Sequence, residues 1–147
     1  MKRVVKFRGK DRISGEMVFG DLIHGVDFKK GNNYILPNTK NLAYVKNCDP
    51  LDGVLVEPES VGQYTGMKDK NGVEVYEGDI INVRNWGKSD EILCVAEVLW
   101  DDDEHCWNWE SSMGLCQTIE GSIDPYDRWR RIEVIGNLHT NPELLEQ

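Results

Sequence analysis

The stretch that decides the fold runs from Val61 to Val83 and reads VGQYTGMKDKNGVEVYEGDIINV. Its pair Asn71-Gly72 is typical of a tight hairpin turn, because both central residues of such a turn need positive φ. A second tight turn is predicted at Glu77-Gly78-Asp79, directly before the apolar strand 80–84. The glycines and polar residues of this stretch therefore predict two turns between paired strands, not an active site.

Short apolar runs separated by turn residues continue on both sides of this stretch. The runs 92–100 and 106–110 are predicted to form one hairpin. Two short helical segments are predicted at 125–129 and 142–146, each with a capping Asp or Asn before it and a proline as its first residue. The other predicted strands are 2–8, 16–19, 22–24, 34–36, 42–45, 54–56 and 131–135.

No long helical period occurs anywhere in the chain, so the pattern predicts an all-β fold. We expect a short-stranded β meander plus a small barrel-like unit with a few short helices, and an α+β fold is the alternative. The expected division is an N-terminal β region at 1–60 and a C-terminal barrel-like β region at 61–147, sharing one core.

The net charge of −9 is spread unevenly. Residues 1–60 hold 10 Lys and Arg against 8 Asp and Glu, or +2, whereas residues 61–147 hold 7 against 18, or −11. An acidic second half repels nucleic-acid phosphates, which makes nucleic acid the less favoured partner. No apolar run of about 20 residues is present, so no membrane span is predicted.

The four cysteines form no CxxC pair, and a chain of 147 residues needs no disulfide to fold. The expectation is therefore free thiols in a reducing cytoplasm. The four residues are Cys48, Cys94, Cys106 and Cys116.

Three stretches, in this order, resemble the YopX family of phage and prophage proteins. The first is Lys6-Phe7-Arg8, and the second is 61–72 continued by 75–81. The third is 133–137 together with 141–145. The family often has an aromatic and an acidic residue shortly after the Phe-Arg, where this chain has Gly9-Lys10.

The resemblance implies a mainly-β fold, a phage or prophage origin and location in a bacterial host cell. It implies no assigned activity, no catalytic residues and no cofactor. The motif residues are expected to be structural; they are Gly62, Gln63, Tyr64, Thr65, Gly66, Asp69, Asn71, Gly72, Tyr76, Gly78, Asp79, Gly136 and Asn137.

Two groups of residues are candidates for binding. Trp100, Trp107 and Trp109 lie in one predicted hairpin, where core packing and a protein-binding or stacking face are alternatives. The basic N-terminal run is the second group, and solvated lysines on an edge strand are its alternative explanation. The candidate binding residues are Trp86, Trp100, Trp107, Trp109, Arg3, Lys6 and Arg8.

The densest polar cluster is residues 101–105, where Asp101, Asp103 and His105 are weak candidates for a divalent metal. A solvated hairpin connection is the favoured interpretation, because aspartates suit turn geometry and the spacing matches no EF-hand loop.

The expected function is therefore that of a phage-encoded accessory protein that binds a host or phage protein or assembles with itself. Nucleic-acid binding and a small metal-dependent enzyme are the alternatives, and whether the chain is an enzyme at all is left open.

Overall fold

The computed structural model describes residues 4–24, 32–37, 53–84, 91–111 and 130–146. Within them the helical segments are two 3-10 turns, Pro58–Ser60 and Pro142–Glu146, and all strand pairings are antiparallel. The predicted mainly-β fold is confirmed. The strands are β1 (Phe7–Lys10), β2 (Met17–His24), β3 (Asn33–Pro37), β4 (Val54–Val56), β5 (Gly62–Lys68), β6 (Glu74–Tyr76), β7 (Asp79–Arg84), β8 (Ile92–Asp101), β9 (Cys106–Glu110) and β10 (Ile132–Asn137).

Two of the sequence predictions can be compared directly with these bounds. The hairpin predicted over 92–110 is formed by β8 and β9, and the final helix predicted at 142–146 is the second 3-10 turn. The strand predicted at 42–45 and the helical turn at 125–129 lie outside the described residues.

The chain forms two compact units, Met1–Tyr64 and Thr65–Gln147. In the first unit the strands β4-β3-β2-β1 form an antiparallel meander, and the first residues of β5 pair with the free side of β1. Because β5 returns to it, β1 is an internal strand and not the edge strand expected from its lysines. Ile35 and Val56 are fully buried in this unit.

Gly20 in β2 lies opposite both Phe7 of β1 and Pro37 of β3. A Cβ atom at Gly20 would lie 1.7 Å from the backbone oxygen of Leu36. A backbone carbonyl cannot swing aside as a side chain can, so the meander requires glycine at this position.

In the second unit four strands form a sheet in the order β10-β7-β8-β9. The later residues of β5 form a hairpin with β6. Burial of the apolar row on one face of the sheet stabilises this unit. Its buried members are Val75, Ile81, Val83, Ala96, Val98 and Ile132, with Met67, Cys94, Trp107, Trp109 and Val134 packed against them.

The turn between β5 and β6 is held by the buried carboxylate of Asp69. Its Oδ1 accepts hydrogen bonds from the backbone N–H groups of Asn71 (2.8 Å) and Val73 (2.9 Å), which close the turn. Gly72 has a positive φ of 81° but Asn71 does not, so the prediction of positive φ at both residues is wrong for Asn71. Its Oδ2 accepts the N–H of Val134 in β10 at 3.0 Å. One carboxylate therefore shapes the turn and joins it to a strand 65 residues further along the chain.

The same turn covers part of the outer edge of β10. The backbone N–H of Lys70 donates to the carbonyl of Ile132 at 3.1 Å, next to the bond between Val134 and Asp69. Residue 133, between these two, faces β7, where it pairs with Asn82. Loop 69–71 thus occupies backbone groups that an edge strand would otherwise present to another strand.

Glu133 provides a second connection between this turn and β10. Its carboxylate pairs with Arg84 of β7, whose Nε lies at 3.2 Å, and with Nζ of Lys70 at 3.6 Å. The hydrogen bond from Arg84 is the main cause that lowers the pKa of Glu133, and the charge of Lys70 acts in the same direction. The half-buried pair is a charge-assisted interaction that fixes the hairpin tip.

The second predicted turn, residues 76–79, is held by Asp79, which is 1% exposed and accepts the N–H of Tyr76 at 2.7 Å. Gly78, with φ of 78°, donates to Val98 of β8 at 2.8 Å and accepts from Leu138 at 2.8 Å. A Cβ at Gly136 would lie 2.7 Å from Leu144, so the C-terminal 3-10 turn lies directly against β10.

Gly20→Ala is expected to lower the free energy of unfolding by about 3 kcal/mol, because the added methyl group overlaps a backbone carbonyl. Urea unfolding followed by circular dichroism measures the change. Asp21→Ala, at the exposed neighbour in the same strand, is the matched control. If Gly20→Ala lowered the free energy of unfolding no more than the control does, the close approach of Gly20 to the carbonyl of Leu36 would be contradicted.

Asp69→Asn is expected to lower the free energy of unfolding by about 2 kcal/mol. An amide has one acceptor oxygen for the three backbone donors, and its own N–H groups would face at least one of them. In hydrogen exchange, the amide of Val134 should lose protection. Asp103→Asn, at an exposed carboxylate, should leave stability unchanged. Unchanged protection at Val134 would show that the long-range bond does not form.

Candidate functional site

The tryptophans of the β8–β9 hairpin share one face of the sheet. Trp100 lies directly opposite Trp107, and Val98 lies opposite Trp109. Val98 is fully buried, so this face is the one that carries the core, and Trp107 and Trp109 are half-buried against it. Trp100 stands at the end of the row and is 40% exposed. Trp107 and Trp109 thus pack on the core, while Trp100 is accessible and a binding face there stays a prediction.

The exposed indole of Trp100 is held in place by its neighbour. The ring centroids of Trp100 and Trp107 are 5.1 Å apart with an interplanar angle of 76°, an edge-to-face arrangement. Such aromatic pairs add about 0.5–1.5 kcal/mol beyond the area that they bury. Trp100 is therefore a preoriented side chain at the tip of a hairpin.

The connection after Trp100 is organised by Asp101. Its Oδ1 accepts the backbone N–H groups of Asp103 and Glu104, each at 3.0 Å, and its Oδ2 accepts Nδ2 of Asn108 at 3.3 Å. These bonds lower the pKa of Asp101, and the hydrogen bond from the N–H of Glu104 contributes most. His105 completes the turn in the left-handed region with φ of 52°. The side chains of Asp102, Asp103 and Glu104 remain exposed.

The metal candidates Asp101, Asp103 and His105 occupy this same connection. Within the described ranges, no group of three or more His, Cys, Asp or Glu side chains is placed to hold a metal ion. Asp101 directs its oxygens at amides of its own turn, which is the geometry of a hairpin connection.

The basic candidates of the first unit are engaged within that unit. The ammonium group of Lys6 lies 4.7 Å from the centre of the Tyr64 ring, and Lys10 pairs with Glu57 at 3.9 Å. Arg8 is 5% exposed. Burial of Arg8 follows from the internal position of β1, which sequence periodicity could not reveal. Arg3 and Trp86 lie outside the described residues.

A carboxylate cluster that the sequence analysis missed lies on the opposite face of the hairpin. Glu97 of β8 pairs across the strands with Glu110 of β9. Burial raises the pKa of Glu97, and the charges of Glu110 and Glu77 raise it further. Extending the predicted hairpin register from Trp100 and Trp107 by three residues would have found the Glu97–Glu110 pair.

The motif residues lie where the two turns and their strands meet. The hydroxyl of Thr65 donates to the carbonyl of Val75 at 2.8 Å, and Gly66 has φ of 87°. Asn137 accepts the N–H groups of His139 and Thr140 at 3.0 Å through its side-chain oxygen. These contacts, like those of Asp69 and Asp79, join elements of the fold to one another.

The two cysteines that the structure describes differ in state. Cys106 has a free and exposed thiol. Cys94 is disulfide-bonded, so the expectation of free thiols is wrong at this position. Cys48 and Cys116 lie outside the described residues.

No helix among the described residues has the length and apolar character needed to cross a membrane.

Comparison with known proteins extends over nearly the whole chain. A family model described as YopX protein matches residues 6–146. The crystal structure of protein EF1440 from Enterococcus faecalis is similar to this chain, with 25% sequence identity and a TM-score of 0.54, covering 98% of this chain and 99% of that chain. Among curated proteins, none matches the chain. The comparisons therefore support a family and a fold, without an activity.

Glu97→Gln is expected to raise the melting temperature at pH 7. An acid whose folded-state pKa is raised destabilises the fold once it ionises, so stability is lost as the pH rises from about 4.5 through the raised pKa. The variant removes that loss of stability. Its higher melting temperature relative to the wild type should disappear below pH 4, where the wild-type carboxyl is protonated in both the folded and the unfolded state. The matched control is Glu91→Gln, at an exposed acid just before the same strand. A Glu97→Gln advantage that persisted at low pH would show that charge is not the cause.

Proposed function

The chain belongs to the YopX family, and on this premise we propose that it is a phage- or prophage-encoded accessory protein that acts by binding other proteins. The binding surface is the tip of the β8–β9 hairpin. The partner is a host or phage protein, or a second copy of the chain.

The observation that carries this proposal is the exposure of Trp100 beside the half-buried Trp107. Tryptophan is enriched among the residues that dominate binding energy at protein interfaces, where it fills a pocket of the partner. Trp100 is oriented before binding, by Trp107 on one side and by the ordered connection of Asp101 on the other. Such preorganisation reduces the entropy that association costs.

Self-association is the second form of the same proposal. The exposed indole of Trp100 can pack against the same hairpin tip of a second copy, since aromatic side chains are enriched at the core of protein interfaces.

Nucleic-acid binding has weaker support. Phosphate contacts require accessible basic groups. Arg8 is buried, Lys6 lies on an aromatic ring and Lys10 has a carboxylate partner. A metal-dependent enzyme lacks a supporting constellation among the described residues, and the proposal includes no cofactor.

The proposed location is the cytoplasm of the bacterial host, from the family context. The disulfide at Cys94 weighs against it, since disulfides are rare in reducing compartments.

Site-specific photo-crosslinking in host cells tests the binding surface. A benzoylphenylalanine in place of Asp102 should form a discrete adduct, because this exposed position adjoins Trp100. The same group in place of Glu59, an exposed position in the first unit, is the control and should not form that adduct. Trp100→Ala should reduce the yield at position 102 several-fold.

An adduct with the mass of two chains would identify self-association, and a heavier or lighter one a different partner. Identical adducts from both positions, or none from position 102, would reject the hairpin as the binding surface.

A further inference from the structure

The exposed aromatic at the end of the hairpin lies beside a set of exposed negative charges. Asp102, Asp103 and Glu104 follow Trp100 directly, and all three side chains are exposed. The ion pairs formed among the described residues lie elsewhere, at Lys10, Lys70 and Arg84. The three carboxylates are thus available to a partner.

The turn that presents these charges is fixed. Asp101 binds the backbone of Asp103 and Glu104 and the side chain of Asn108, so its own charge is directed into the turn. His105 holds the left-handed conformation that ends it. The backbone that carries the three exposed carboxylates beside Trp100 is therefore ordered by hydrogen bonds within the turn.

Charge complementarity indicates which kind of partner this surface binds. Residues 65–147 hold 7 Lys and Arg against 18 Asp and Glu, a net charge of −11. A surface in such a field attracts cations and repels acidic partners. An aromatic face next to carboxylates matches an arginine or lysine side chain, whose cation stacks on the ring while its remaining donors reach the oxygens. The first unit shows the same chemistry in its contact between Lys6 and Tyr64.

We propose that the partner segment bound by this hairpin is a lysine- and arginine-rich stretch of polypeptide. This inference rests on the proposed function and names the partner class of the same surface. The indole and the carboxylates act together: the ring provides apolar contact with the side-chain stem, and the acids neutralise its charge.

Fluorescence anisotropy with the full chain tests the proposal. The probe is a fluorescein-labelled dodecapeptide of alternating arginine and glycine, and a peptide with glutamate in place of arginine is the negative control. The arginine peptide should bind, with an affinity that falls as salt is raised, because exposed charges are screened within about 10 Å at 0.1 M salt. The glutamate peptide should not bind.

Two variants locate the site. Trp100→Ala should weaken binding by about threefold, the loss expected for one exposed cation–π contact. The triple variant Asp102→Asn, Asp103→Asn, Glu104→Gln should weaken it by about tenfold, as three exposed ion pairs do. The matched triple variant Glu16→Gln, Asp21→Asn, Glu59→Gln neutralises three exposed acids of the first unit and should change the affinity less than twofold.

Equal losses of peptide affinity in the two triple variants would overturn the proposal, because the net charge of the protein rather than the hairpin would then drive binding. An unchanged affinity for Trp100→Ala, or no binding of the arginine peptide at low salt, would also overturn it. If the peptide fails while Trp100-dependent adducts form from position 102, the proposed function stands and the cationic partner class is rejected. Failure of both experiments rejects both.

Discussion

The second unit depends on one buried carboxylate, that of Asp69. A buried carboxylate needs hydrogen-bond donors, and Asp69 accepts three backbone N–H groups from two places that are distant in the sequence. The turn at Asn71-Gly72 and the strand β10 are therefore not independent elements. In this chain the stretches 61–83 and 133–137 are joined by the hydrogen bond between Asp69 and Val134.

The same turn uses much of its charge within the fold. Glu133 pairs with both Arg84 and Lys70 beside the turn. Trp100 and the exposed acids that follow it lie at the tip of the β8–β9 hairpin, in other strands of the unit. The proposed binding surface is thus made of other residues than those that hold the turn.

Local patterns predicted much of this fold and less of its surface. The turn at Gly72, the hairpin over 92–110 and the final turn at 142–146 are encoded by neighbouring residues, so sequence periodicity and turn chemistry found them. The burial of Arg8 depends on β5 returning beside β1, and the role of Asp69 depends on a bond across 65 residues. Such long-range pairings leave no periodic signal. Trp100 and Trp107 were found because they share a hairpin, but which of them is exposed depends on where the core ends.

The contact between loop 69–71 and β10 also bears on aggregation. In the terms of polymer chemistry, an open sheet edge is a growing end, and the loop caps this one at Ile132 and Val134. A strand from a second copy that added there would first have to displace the loop, and with it a hydrogen bond to Asp69. The turn that shapes the hairpin thus also acts as an end-cap for part of this sheet.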